Sequence, residues 1–482
     1  MLFNSYIFIL LFLPLALTGY FLINRKSLTG GKAWLVAMSL WFYAYYNPIY
    51  LIILLASVFF NYFVGKKIAS LTQHKKQMLA LGIAVNLAAL LYCKYYDFFI
   101  ENINLIFQTG FALRHLILPL AISFFTFKQI AYLVDSYRKE APAHSFLDYA
   151  LFVVFFPQLI VGPILLSSEL IPQFLDEARK KINYENLAKG LIAFAFGLAK
   201  KVLLADTFAG AVDWGYAHLD MLNTTDALLV MLFFTFQIYF DFSGYCDMAT
   251  GLGLMFNIDI TQNFNSPYRA RSVTEFWQRW HITLTRFFRN YLYIPLGGNR
   301  KGKARTYLHY FLIFLVSGLW HGANYTFIAW GAVHGIFFCL ARLFQKQLAK
   351  IPAIINWLFT FLFINLTWVL FRADSLGQAG QVFGKLASLS FGRVSKDLAE
   401  AFYLPETILI NKIFTPTIVS DFQIFLWPLT IFALYAVVFM RNTNERIAVF
   451  KPQTLSICTT TALLVWGILS LAGVETFIYM GF

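Results

Sequence analysis

The sequence predicts an all-α fold: a polytopic protein whose helices cross a membrane. Three observations lead there. Apolar runs recur from end to end, hydrophobic residues make up 59% of the 482, and charged residues only 13%. A soluble domain carries roughly 25% charged residues, and the mean hydropathy of +0.64 points the same way. Soluble multidomain architectures are excluded on that ground.

Taken in order, the candidate membrane segments are 2–24, 33–48, 50–64, 77–96, 112–134, 146–166, 187–206, 226–250, 308–323, 324–345, 353–371, 423–440 and 454–473. The first is not a signal peptide, because it lacks a charged start, its apolar run is too long and no A-x-A site follows. Several others fall short of the ~20 residues of a simple span, which implies irregular packing around a cavity. The net charge of +14 reads as retention of basic residues on the cytoplasmic side. Arg25, Lys26 and Lys32 lie inside by this rule, as do Lys66, Lys67, Lys75, Lys76, Arg138 and Lys139. The long loop 373–422 lies outside and Arg441, Arg446 and Lys451 inside, which leaves both termini outside.

Segment 146–166 breaks the alternation, since basic residues flank it on both sides: Arg138 and Lys139 before, Arg179, Lys180 and Lys181 after. With Pro157 and Pro163 inside it, it reads as re-entrant. The stretch 207–226 holds Asp213, Asp220 and Asp226 without Lys or Arg, as an outer loop would. Segment 257–307 carries nine Lys/Arg against Asp259 and Glu275 and is rich in aromatics, a mixture suited to the bilayer interface. No repeat or flexible linker interrupts the chain, so 1–482 reads as one integral-membrane domain. The four cysteines lack CxxC spacing, which gives neither a disulfide framework nor a metal site.

Ionisable groups within apolar segments are costly, by roughly 2.5–3.5 kcal/mol for a charge, and are functional candidates for that reason. His321 stands in LWHGANYTFIAWGA (319–332), flanked by Gly318 and Gly322. A neutral imidazole suits a general base acting on a hydroxyl; the alternative is a histidine hydrogen-bonded between helices. Thr274, Gln278, His281 and Thr285 are spaced 4, 3 and 4, which on one helix forms a polar face. Such a face lines a channel or simply meets water. His334 is a weaker candidate. Asp241 and Asp247 either bind a cation or pair with Arg269, Arg271 or Arg279, and pairing is favoured because metal-ligand spacing is lacking. Lys200 and Lys201 end an apolar helix and read as snorkelling. There is no P-loop, GxSxG or HExxH context.

Five stretches read together carry a resemblance: LPLAISFFTFKQIAYLVDSYR (118–138), FFPQLIVGPILLSSELIPQF (155–174), YFDFSGYCDMATGLGLMFNI (239–258), NFNSPYRARSVTEFWQRWHITLTRFFRNYLYIPLGGNR (263–300) and LWHGANYTFIAWGAVHG (319–335). The chain resembles the membrane-bound O-acyltransferase family, in the bacterial branch of the alginate O-acetylation membrane protein. The teichoic-acid D-alanyl transfer protein is the nearest cousin of that branch. The match covers most of the chain and is densest over 118–335.

The resemblance implies a ring of helices around a central funnel, with re-entrant segments. It places the family's invariant histidine on His321 and its second polar position on His281, both catalytic, with Trp320 and Asn324 as candidate lining. It implies no bound cofactor. The donor would be a cytoplasmic thioester, acetyl-CoA, and the acceptor a cell-surface or periplasmic polysaccharide, served through a periplasmic transferase partner. The family's reading thus sets the protein in a bacterial inner membrane. One departure concerns Leu165 and Leu166, where relatives often carry a polar or basic pair. The terminal FIYMGF (477–482) resembles the branch's aromatic tail, in which Tyr479 is either an acyl acceptor or, the favoured reading, an interfacial anchor. The rivals are D-alanyl transfer from a carrier protein and a transporter without acyl chemistry; the latter usually shows internal repeats.

The re-entrant reading has a direct check. Single cysteines introduced at 167–186 should react with impermeant thiol reagents applied from the cytoplasmic side. Labelling only from outside would mean that 146–166 crosses.

Overall fold

The computed structural model describes residues 1–116, 118–140, 144–402 and 423–473, and these contain helices and connecting segments but no strand. Among the described residues, five helices are long and apolar enough to cross a membrane: Pro48–Ser70, Lys75–Phe107, Thr224–Met255, Tyr325–Leu343 and Ala353–Arg372. At 1.5 Å per residue, the 32 residues of Thr224–Met255 extend about 48 Å. That helix is almost wholly buried, its few polar residues such as Asp241 included, so it has no side left for solvent.

The chain divides into two compact units, each assembled from separated stretches. The first comprises Met1–Phe194, Cys246–Gln262 and Thr283–Pro295. Its N-terminal helices are set by local signals. Ser27 caps Leu28–Ala44 through the Gly30 amide, and Asn47 with Pro48 caps Pro48–Ser70. Phe8, Phe12, Phe42 and Phe156 pack ring against ring with centroids 5.2–6.1 Å apart. Lys32 is buried and pairs with Asp148 at 2.5 Å. Its charge is therefore spent inside the protein, and it is a poorer marker of sidedness than the sequence suggests. Segment 146–166 forms an α-helix only over Phe146–Val154, followed by one 3-10 turn at Phe156–Gln158. At roughly 14 Å the α-helix is less than half a hydrocarbon core. The helix of segment 112–134 begins only at Ile122.

The second unit comprises Ala195–Tyr245, Asn263–Ile282 and Leu296–Phe482. Here the expectation of a loop over 207–226 is corrected, since Asp206–Ala217 is helical. The helix Tyr184–Ala199 runs into it through one π-helical stretch, Lys200–Ala205. In π geometry residues five apart stand above one another, so Lys201 and Asp206 share a face. Lys201 Nζ lies 2.7 Å from Asp206 and 2.9 Å from Asp241, and all three side chains are at most 8% exposed. Lys201 is thus the centre of a buried ionic triad and does not snorkel. Asp241 pairs with this lysine of its own unit. Gly244 permits the approach, because a Cβ there would meet the Gly197 carbonyl oxygen at 2.8 Å.

Breaking a buried pair by removing one partner costs about 3–5 kcal/mol. Lys201→Met leaves two carboxylates facing each other and should lower the thermal midpoint of the detergent-solubilised protein by many degrees. An unchanged midpoint would show that the triad is not a structural element.

Candidate active site

The second unit gathers both candidate histidines. Helix Lys303–His321 ends on His321, and Tyr325–Leu343 begins after Asn324. The quoted stretch LWHGANYTFIAWGA is therefore a tight corner between two antiparallel helices. Asn324 builds the corner twice over. Its Oδ1 accepts the Thr326 amide at 3.1 Å, and its Nδ2 donates to the Asp374 carbonyl at 2.8 Å. The helices touch at backbone distance through Gly318 and Gly331, where added Cβ atoms would lie 2.2 Å from Phe327 O and 2.4 Å from Phe314 O. Small residues at such a crossing are what apolar helices use to pack closely.

His321 is 3% exposed. Its ring is boxed by Trp320, Trp330 and Phe371 at centroid separations of 4.8, 5.3 and 5.1 Å. Trp320 also lies 6.2 Å from the ring of His281. One indole thus touches both imidazoles, which stand within the sum of those two separations, about 11 Å.

His281 is placed by a different device. The expected continuous polar face does not form, because the helix breaks: Val273–Arg279 and Ile282–Phe288 are separate. His281 lies between them with φ +46°, in the left-handed region that non-glycine residues rarely adopt. Gln278 and Thr285 are exposed while His281 is 1% exposed. The strained turn is held on both flanks by backbone bonds, Asn265 N to Arg279 O and Ile282 N to Asn263 O, each 2.9 Å. Such conformations persist where surroundings over-determine them and cluster at functional sites.

The side chain is held as well. Asn263 Oδ1 lies 3.2 Å from His281 Nδ1. With the amide oxygen accepting, Nδ1 carries the proton and Nε2 keeps its lone pair. Nε2 is buried and has no hydrogen-bond partner among the described residues, which leaves its lone pair for a hydrogen bond donated by a substrate. Burial pushes the imidazole down to about 3, so the ring is neutral throughout the physiological range. Phe242 closes one side at 4.8 Å.

His334 is a structural histidine. Its Nδ1 accepts from Trp277 Nε1 at 3.2 Å, and its Nε2 lies 3.0 Å from Thr367 Oγ1, which itself donates to the Ile364 carbonyl. Both ring nitrogens are used, and the residue is fully buried. Asp241 belongs to the Lys201 triad, and Tyr479 lies outside the described residues. Asn263 was not singled out from the sequence. The available signal was a pair of asparagines in NFNSPYR, ahead of a histidine in an aromatic stretch. No cluster of three His, Cys, Asp or Glu suited to a metal occurs among the described residues.

Comparison with known proteins agrees with this architecture. The chain is 46% identical over 437 residues to a peptidoglycan O-acetyltransferase of Helicobacter pylori, covering 83% of each protein. It is 41% identical over 403 residues to the probable alginate O-acetylase AlgI of Pseudomonas aeruginosa, covering 81% of this chain and 75% of that one. A teichoic acid D-alanyltransferase of Bacillus subtilis matches at 25% over 248 residues, 48% of this chain and 61% of the relative. Residues 38–375, which include the corner at His321 and the clamped turn at His281, match the membrane-bound O-acyltransferase (MBOAT) family. With helices built to cross a membrane and a match of that extent, the chain belongs to the membrane-bound O-acyltransferase family and is a multi-pass membrane acyltransferase.

Proposed function

We propose that this protein is an O-acetyltransferase of a bacterial inner membrane. It takes an acetyl group from a cytoplasmic thioester, acetyl-CoA, and passes it across the membrane for O-acetylation of a cell-surface or periplasmic polysaccharide, with a periplasmic transferase completing delivery. The names of two relatives matched over about four fifths of this chain support acetyl as the group and a glycan as the acceptor. In this reading both termini face outward.

His321 is the proposed base. An acceptor hydroxyl gives its proton to the imidazole as its oxygen attacks the thioester carbonyl; the C–S bond then breaks and the thiolate takes the proton back. His281 supports the reaction with a neutral ring whose open Nε2 receives a hydrogen bond. Trp320 and Asn324 shape the site. The observation that carries this reading is the single indole between two buried imidazoles, one of which is clamped with its Nε2 open.

His321→Ala should reduce surface O-acetylation by roughly 10²–10⁴-fold, the usual contribution of a positioned base, with the protein still in the membrane fraction. Normal acetylation would reject the assignment. Donor identity is read by supplying the purified protein with labelled acetyl-CoA or with a D-alanyl-charged carrier protein; transfer from the carrier alone would replace acetyl by D-alanyl. Mass spectrometry of envelope glycans with and without the protein names the acceptor.

Asn263→Ala removes the acceptor that orients His281. Activity should fall by roughly a hundredfold, the scale of a displacement of about 1 Å in a catalytic group, and Asn263→Asp should restore part of it. Full activity in the alanine variant would mean that His281 needs no clamp.

A further inference from the structure

A cavity of about 580 Å³ lies within the second unit, between the helix around Lys200–Ala205, the helix Thr224–Met255, the helix Gln423–Val438 and the helix Thr454–Leu469. It takes no part in the reaction proposed above. Its walls are apolar, among them Leu203, Leu204, Phe240, Leu429 and Leu463. Phe432 and Trp466, two of its lining residues, are each about half exposed and apolar.

Its polar part comes from two places: Lys200, which lies 5.9 Å from the Tyr239 ring, and a cluster further along the chain. Arg441, Asn442, Thr443 and Arg446 all come from the segment leaving Gln423–Val438. The Arg441 side chain makes no hydrogen bond or ion pair among the described residues. Arg446 uses its Nε to donate to the Arg441 carbonyl at 3.1 Å, and its guanidinium lies 5.0 Å from the Phe196 ring. Neither arginine has a carboxylate partner among the described residues. The nearest acid in sequence, Glu445, is engaged in a capping box with Asn442, at 2.9 and 3.1 Å. Burial and the neighbouring Arg441 charge together hold the Arg446 guanidinium below its ordinary value, and an anion between the two would relieve both effects.

We infer that this cavity is a binding site for one anionic phospholipid, its phosphate between Arg441 and Arg446 and an acyl chain in the apolar trough. The volume falls within the roughly 300–1,000 Å³ of ordinary ligand sites. Charge decides the class. Two guanidiniums without a carboxylate partner among the described residues select an anionic headgroup over a zwitterionic one, and the trough selects a lipid over a free anion. The inference is independent of the acyl-transfer reading, since its readout is lipid retention.

The test uses the full chain in nanodiscs of phosphatidylethanolamine and phosphatidylglycerol in equal parts, followed by native mass spectrometry of lipid carried into detergent. The wild-type protein should retain phosphatidylglycerol in preference to phosphatidylethanolamine. The double variant Arg441→Gln/Arg446→Gln should weaken that retention roughly thirty-fold, which corresponds to about 1 kcal/mol for each basic residue. Ala436→Trp, which fills the trough and leaves both arginines, should also abolish it. Lys346→Gln/Lys350→Gln, a basic pair elsewhere, should change nothing. Equal retention by the double arginine variant, or equal retention of the two lipids by the wild type, overturns the inference. Loss of the lipid to inorganic phosphate while Ala436→Trp has no effect overturns it too, by making the site one for a free anion.

Discussion

The hydrogen bond from His281 to Asn263 is the interaction on which the proposed site depends. An imidazole 1% exposed among aromatic rings loses its water, and each unpaired nitrogen then costs on the order of 1–3 kcal/mol. The protein supplies one partner and withholds the other. Asn263 takes Nδ1, and Nε2 is left open. To bring Asn263 under His281 the chain breaks what would be one helix into two and forces a left-handed residue between them. The backbone bonds from Asn263 and Asn265 fix that turn. Helix breakage, strain and the open nitrogen are consequences of the same pairing.

The rule of paired burial also separates the other polar groups of the interior. His334 has both nitrogens engaged and is finished as a structural element. Lys201 is neutralised by two aspartates, and Lys32 by one. Each of these satisfies the demand of a low-dielectric surrounding for an internal counter-charge. Arg441 and Arg446 are different, because they border an apolar cavity without a carboxylate partner among the described residues. Groups that the fold leaves open are the ones that remain for ligands.

Most helices were legible in the sequence because apolar length alone specifies them. Their ends were less so. Segment 77–96 extends to a helix over Lys75–Phe107, and 112–134 shrinks to one that starts at Ile122. Charge was the misleading signal. Asp213 and its neighbours suggested a loop, although Asp206 starts a helical segment in which it pairs backwards with Lys201 across a π turn. A regular 4-3-4 spacing suggested a continuous face, but spacing cannot register a residue with positive φ. His321 at a helix corner agrees with the segment limits 308–323 and 324–345. The closeness of His321 and His281 to one indole was not legible, because forty residues separate the histidines and only packing joins them.

The aromatic box around His321 bears on why an enzyme of this kind would avoid wasting its donor. A thioester carbonyl activated for attack by a hydroxyl is equally open to water. Trp320, Trp330 and Phe371 occupy the space about the imidazole at about 5 Å, so a small nucleophile gains little room beside it. Exclusion of water both protects the donor and strengthens the polar contacts that remain. It also limits the group transferred. CoA carries several charges and cannot enter an apolar interior, whereas an acetyl group is small and neutral. In the proposed reaction, a site enclosed by rings favours a division in which the carrier stays in the aqueous phase and only the acyl end reaches the histidines.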